Sequence, residues 1–224
     1  MHSRFDHIDS WIFDLDLTLY GPEANIMAQV RDRIALYVER YFNISSDAAH
    51  HIRHTYWKKY GTTLGGLMAE HSVDPHGYLD FVHDVDMSLL HPAPDLRGQI
   101  EALPGRKLIF TNADAPYAHR VLAARGLDGV FEDIFDIHRM QHVPKPASVS
   151  YDRLCNELHI DPARALFVED SAHNLGPAKA LGMTTIWVNH DIAVDRADTA
   201  PFIDHEIADI SGWLSSLHTI ERTI

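Results

Sequence analysis

Short apolar runs that stop abruptly at polar residues set the rhythm of this chain. Ser10-Trp11-Ile12-Phe13 stops at Asp14, Lys107-Leu108-Ile109-Phe110 at Thr111, and Ala165-Leu166-Phe167-Val168 at Glu169. Thr184–Val188, β-branched with a tryptophan, reads the same way. Runs of four or five apolar residues bounded like this predict strands buried on both faces. Between them the period becomes helical, over Tyr117–Arg125 before Gly126, Ser148–Leu158, and Asn174–Leu181 before Gly182. Phe131–Ile137 reads as one more short strand. Such alternation predicts an α/β fold, a doubly wound parallel sheet with helices on both faces and right-handed crossovers.

One stretch breaks the alternation. Asn25–Phe42 reads as a helix with Ile26, Val30, Ile34, Val38 and Tyr41 on one face. Helical patterns follow near 47–60, 63–71 and 76–90, with turn signals at Asp74-Pro75 and His91-Pro92-Ala93-Pro94. No strand is expected between about 21 and 92. The organisation is therefore a core of residues 1–20 and 93–224, interrupted after its first strand by a helical insertion over 21–92. The tail from Asp191 is less regular, with a last helix expected near 210–218.

Composition adds exclusions. The 224 residues carry a formal charge of −13, which opposes a nucleic-acid polymer as partner but not a small phosphorylated molecule. No apolar run reaches the roughly 18–20 residues of a membrane span, and the first residues lack the apolar stretch of a signal peptide. With a lone Cys155, which forms no internal disulfide, the expectation is a cytoplasmic protein. Among 17 histidines, the i, i+4 pair formed by His50 and His54, with His51 beside it, has the spacing of metal ligands. No cysteine or third ligand accompanies it, so these read as surface or partly buried side chains.

In doubly wound sheets ligands bind at the carboxyl ends of the strands, and those ends carry this chain's reactive residues. Asp14 and Asp16 lie two residues apart in DLDLT. Carboxylates this close repel unless a cation or a shared proton relieves them. Mg²⁺, a hard ion that takes oxygen ligands, would do so. One acid is then free to act as nucleophile and the other as general acid and base; alternatively either caps a helix. Thr111-Asn112 offers a hydroxyl and an amide, suited to phosphate oxygens or to a helix cap. Lys145, framed by Pro144 and Pro146, is a restrained cation or an exposed loop lysine. Glu169-Asp170-Ser171 reads as the far side of a metal site or as an N-cap cluster.

Taken in order, DxDxT, TN, KP and ED resemble the four motifs of the haloacid dehalogenase superfamily, over Trp11 to about Val188. The resemblance implies Asp14 as nucleophile and metal ligand, and Asp16 as general acid/base that binds Mg²⁺ through its carbonyl. It implies Thr111, Asn112 and Lys145 as phosphate-binding residues, with Asp170 and Glu169 completing the metal site. Dehalogenases lack an acid at the position of Asp16, because halide leaves unprotonated; its presence points to phosphoryl transfer from an alkoxide. The insertion resembles the helical cap of this superfamily's first cap class.

Within the superfamily, DLTLY, Tyr60-Gly61-Thr62-Thr63-Leu64, Val82-His83-Asp84-Val85-Asp86 and FVEDSAHNL resemble the pyrimidine 5′-nucleotidase branch. That implies a Mg²⁺-dependent phosphatase acting on pyrimidine nucleoside 5′-monophosphates such as UMP and CMP, as a monomer or homodimer. Tyr60 is then placed to stack on a base, and His83 and Asp84 to read hydroxyls, although Gly65 stands where many relatives have arginine. The alternatives are a broad phosphatase or phosphomutase for phosphoglycolate or sugar phosphates, or a catalytically silent nucleotide-binding regulator. Arg53, Lys58 and Lys59 are the insertion's only candidates for a second phosphate site.

Overall fold

The computed structural model of the chain describes residues 5–190 and 200–221. The apolar runs form β1 (Ser10–Phe13), β2 (Arg106–Phe110), β4 (Ala165–Glu169) and β5 (Thr184–Val188), with β3 (Asp133–Phe135) and β6 (His205–Ile207) at the edges. The sheet is parallel throughout, in the order β3-β2-β1-β4-β5-β6. Alternate residues feed two apolar layers, as a pleated strand requires. Trp11, Phe13, Ile109 and Val168 pack with Leu96 and Ile100 of α5 (Pro94–Glu101), Val121 of α6 (Ala115–Arg125) and Leu214 of α9 (Ile210–Glu221). Ile12, Phe110 and Phe167 pack on the other face with Leu154 of α7 (Ser148–Leu158) and Leu175 of α8 (Ala172–Leu181).

Between β1 and β2 the chain forms α1 (Ile26–Phe42), α2 (Ser46–Tyr60), α3 (Thr63–His71) and α4 (Pro75–His83), then α5, with no strand among them. Local chemistry fixes the ends of these helices. Ser45 and Thr62 cap α2 and α3 by accepting from Ala48 N–H and Gly65 N–H, and Gly61 stops α2 at φ +79°. Asp74-Pro75, expected as a turn, is a helix start, with the Asp74 carboxylate accepting from His76 and Gly77 N–H and proline in the first turn.

Several boundaries depart from the sequence reading. The helix expected over 76–90 stops at His83, because Val85 N–H bonds back to His83 O and Asp86 captures the Ser88 N–H and hydroxyl. Those local bonds replace helical ones. Tyr41, expected on the buried face of α1, is 45% exposed and stacks on Tyr37. Helix α5 and strand β6 were not expected. Asp191 to Thr199, part of the expected irregular tail, lies outside the described residues. Among the described residues no helix is long and apolar enough to cross a membrane.

Candidate active site

Because β1 pairs with β4 in register Phe13 to Val168, the residues following both strands emerge side by side. Asp14 N–H donates to Val168 O (2.9 Å), Glu169 closes β4 and Asp170 follows it directly. Lys145 reaches the same point from the loop before α7. Its Nζ lies 2.7 Å from Asp14 Oδ1, 2.7 Å from Glu169 Oε2 and 2.8 Å from Phe110 O. All three ammonium protons are thus placed, in a buried setting against the Phe110 and Phe167 rings. Burial works against the charge on Lys145, but Asp14 and Glu169 outweigh it and hold the group well above the usual lysine range.

The loop that carries Lys145 is itself clamped. Lys145 N–H donates to Asn112 Oδ1 (2.8 Å) and Asn112 Nδ2 donates to Lys145 O (3.2 Å), next to a cis Lys145–Pro146 bond. The Asn112 amide therefore positions the lysine. Thr111 is buried and its hydroxyl accepts from Ala113 N–H (3.1 Å), leaving its own proton to donate.

One oxygen each from Asp14, Glu169 and Asp170 lies within 4.8 Å of the others. Three acids share one nearby ammonium, and the imbalance shows. Burial, then the Glu169 charge, pushes Asp14 up to about 8 despite Lys145, and burial, then Glu169 and Asp14, pushes Asp170 up to about 10. A cluster of hard oxygen donors with unbalanced negative charge fits a divalent cation such as Mg²⁺. Glu169 Oε2 is taken by Lys145 and Oε1 accepts from Ser171 N–H (3.0 Å), whereas among the described residues Asp14 Oδ2 has only a long contact with the Thr18 hydroxyl (3.4 Å), which leaves Asp14 and Asp170 the freer of the three acids to turn an oxygen to a metal.

Asp16 lies apart from that cluster. Its Oδ1 accepts from Tyr20 OH (2.5 Å) and Tyr117 OH (2.7 Å). Burial raises its pKa, and the two phenols, the His83 charge and Lys145 only partly offset this. The net shift is toward the protonated form, the direction a general acid needs. It lines a cavity of about 240 Å³ between the helices α1–α4 and the sheet, along with apolar residues such as Val30, Ile34, Leu79 and Val82. Thr62, Thr63, His83, Asn112 and His142 add polar groups to the cavity's lining, with the Tyr78 and Tyr117 rings.

The remaining sequence candidates divide. His83 faces this cavity. Tyr60 does not line it; its phenol donates to Glu70 of α3 (2.7 Å). Asp84, with a side chain 74% exposed, pairs with Arg33 at 2.9 Å and also lies outside the cavity. The residues missed by sequence reading are Tyr20, Tyr117 and Thr18, whose hydroxyl faces Asp14 Oδ2 at 3.4 Å. Tyr20 follows Asp16 by four positions and was legible in principle, whereas nothing in the sequence ties Tyr117 to Asp16 from 101 positions away.

This geometry makes Lys145 a stability element. Replacing it by Met leaves Asp14 and Glu169 buried with no cation, and removal of one partner from a buried ion pair costs about 3–5 kcal/mol. Urea denaturation of metal-free protein at pH 8 is expected to show a loss of that order. The loss should shrink at pH 5, where the acids relieve themselves by protonation.

Known proteins share this frame. In yeast, Saccharomyces cerevisiae, Phosphate metabolism protein 8 is 24% identical over 192 residues, covering 77% of this chain. The match takes in 59% of the yeast protein's length, so the chain spans about three-fifths of that relative. Among solved structures, the HAD-hydrolase YfnB of Bacillus subtilis, bound to magnesium, superposes with TM-score 0.61 at 18% identity, over 94% of this chain and 99% of that one. A HAD phosphatase from Thermococcus onnurineus does so with TM-score 0.59 at 20% identity, over 95% and 97%. Haloacid dehalogenases share the fold as well. Residues 11–188, which carry every acid of the strand ends, match the family model described as haloacid dehalogenase-like hydrolase, and the chain belongs to that family.

Proposed function

We propose that this hydrolase is a Mg²⁺-dependent phosphatase of pyrimidine nucleoside 5′-monophosphates, UMP and CMP for example, working through an aspartyl-phosphate on Asp14. The observation that carries the reading is the division of labour between two acids. Asp14 is fixed by Lys145, while Asp16, half-buried and held by two phenols, lines a small, mostly apolar cavity.

In the first half-reaction an Asp14 carboxylate oxygen attacks phosphorus, the bond from phosphorus to the 5′-oxygen breaks, and Asp16 gives its proton to that oxygen. In the second, Asp16 takes a proton from water, the water oxygen attacks phosphorus, and the acyl-phosphate bond breaks to restore Asp14. Lys145 and the Thr111 hydroxyl face the phosphoryl oxygens, where charge builds in the transition state. Asp14 and Asp170, with the Asp16 carbonyl, would hold Mg²⁺, while Glu169 anchors Lys145. The ion supplies charge neutralisation to the phosphoryl group. Residues 21–92 act as a cap that excludes water and surrounds the leaving group. A cavity of about 240 Å³ lies below the ~300–1,000 Å³ typical of ligand pockets, a size that favours a compact leaving group.

Phosphate release with Mg²⁺ from UMP, CMP, dTMP, AMP, GMP, phosphoglycolate and sugar phosphates tests this. A kcat/KM advantage of about tenfold or more for the pyrimidine monophosphates is expected, the size of discrimination an apolar pocket achieves. Equal rates across the panel would retire the nucleotidase reading and leave the Asp14 chemistry standing.

A second reading, a broad phosphatase or phosphomutase acting on phosphoglycolate or sugar phosphates, draws on a different observation. A groove of about 850 Å³ reaches Lys145 and is lined by His50, Arg53, His54 and His173 but by no carboxylate. In a chain of charge −13 that is a local site for a second anionic group. A preference for sugar bisphosphates in the same panel would favour it.

A further inference from the structure

A buried pair at the junction of α4 and α6 takes no part in the cycle above. His83, the last residue of α4, places Nδ1 2.5 Å from Asp114 Oδ1, and both side chains are almost wholly enclosed. Asp114 stands at the N-cap of α6, where an aspartate ordinarily accepts from its own helix, yet its side chain makes no capping bond. Asp136 caps instead, accepting from Ala115 N–H at 2.9 Å. The Asp114 carboxylate is thereby given over to the imidazole. Burial alone would raise its pKa, but the His83 contact holds it below the usual aspartate range.

His83 is also held from other sides. Its ring stacks on Tyr117 at 4.3 Å between centroids, the phenol that donates to Asp16. Its carbonyl accepts from Arg120 Nη2 at 2.6 Å. An ionised carboxylate only accepts, so the proton of the short contact sits on Nδ1. No hydrogen bond from the described residues reaches Nε2, and the residue lines the cavity beside Asp16.

The geometry points to His83 as a specificity-determining residue and to Asp114 as the positioning residue that fixes its tautomer, so that the site selects esters whose alcohol carries a second hydroxyl near the ester oxygen. A hydroxyl satisfies Nε2 in either protonation state, because it donates to a neutral imidazole and accepts from a charged one. A leaving group without it covers Nε2 and leaves that nitrogen with neither water nor a partner. This deepens the nucleotidase reading, in which the hydroxyl belongs to the ribose, and rests on it for that identity.

The test compares kcat/KM for UMP with dUMP and with 3′-deoxy-UMP, and for ribose 5-phosphate with 2-deoxyribose 5-phosphate. The parent enzyme, Asp114→Asn and His83→Phe, which keeps the stack on Tyr117, are measured together. Removing one ribose hydroxyl is expected to cost the parent about tenfold, and less than about twofold in either variant. The ratio is the readout, because damage to the fold lowers both members of a pair alike, and either variant suffices if the other fails to fold. A parent enzyme indifferent to both hydroxyls, or a ratio unchanged in the variants, overturns the inference. Slow turnover of all nucleotides with discrimination kept between the two sugar phosphates would instead overturn the nucleotidase reading and leave His83 in its role.

Discussion

Asp14→Asn is expected to abolish phosphate release, by about 10⁴-fold or more, while making the metal-free protein more stable above pH 8. The first half follows from losing the nucleophile, without which no covalent intermediate forms. The second follows from electrostatics. In the folded protein Asp14 is pushed up to about 8 from an ordinary value near 3.8. The folded state therefore keeps a proton that the unfolded chain releases. Stability is fullest with that proton bound, at low pH, and falls as pH rises from about 4 towards 8. Asp170, pushed up to about 10, adds a fall of the same sign. Asparagine has no charge to bury and removes the first of these falls. Lys145 is not orphaned by the change, since Glu169 remains 2.7 Å from its ammonium. Thermal melts in EDTA should show the parent losing several degrees between pH 5 and 9 and the variant losing less, at roughly 2–4 °C per kcal/mol for a chain of this size. Added Mg²⁺ should raise the parent's midpoint at pH 8 well above its effect on the variant, and EDTA should abolish the parent's turnover. A variant that keeps a percent of the activity, or that melts lower than the parent at pH 9, contradicts this account of Asp14.

The parts of this site legible in the sequence were those fixed by local contrast. An apolar strand that ends in acids announces itself, so Asp14, Glu169 and Asp170 stood out, and the bounds of α3, α7 and β5 could be read from the chain. Contacts made across the fold could not. The Asn112 amide looked like a phosphate ligand, and only folding shows it clasping the Lys145 backbone from 33 positions away. Tyr60, in a segment that resembles the nucleotidase branch, looked placed to stack on a base, whereas in the fold its hydroxyl donates to Glu70 on the next helix and the residue lies outside the cavity that Asp16 lines. The over-long helix at 76–90 failed for a local reason, since Asp86 bonds to Ser88 more readily than α4 continues. Strand β6 has three residues at a sheet edge, too few for a periodic signal.

Asp16 offers the sharpest separation of the two chemical steps. Its proton is useful only to a leaving group that is a poor anion, so Asp16→Asn should slow UMP hydrolysis by about 10²–10⁴-fold, the range of general acid catalysis. p-Nitrophenyl phosphate needs no such proton, because its phenolate is stable on departure, and the first half-reaction on it should persist. The second half-reaction still lacks the base that activates water. Stopped-flow measurement on the variant is therefore expected to show a burst of nitrophenolate, up to one equivalent per active site, followed by slow turnover while phosphate stays on Asp14. The two phenols can be tested in the same experiment. Tyr117→Phe removes one hydrogen bond to Asp16 Oδ1 and leaves Tyr20 at 2.5 Å. Since each phenol favours the carboxylate, losing one should raise the Asp16 pKa further and carry the basic limb of the UMP pH–rate profile upward. Equal losses for both substrates in Asp16→Asn, with no burst, would show that Asp16 holds the site together and transfers no proton.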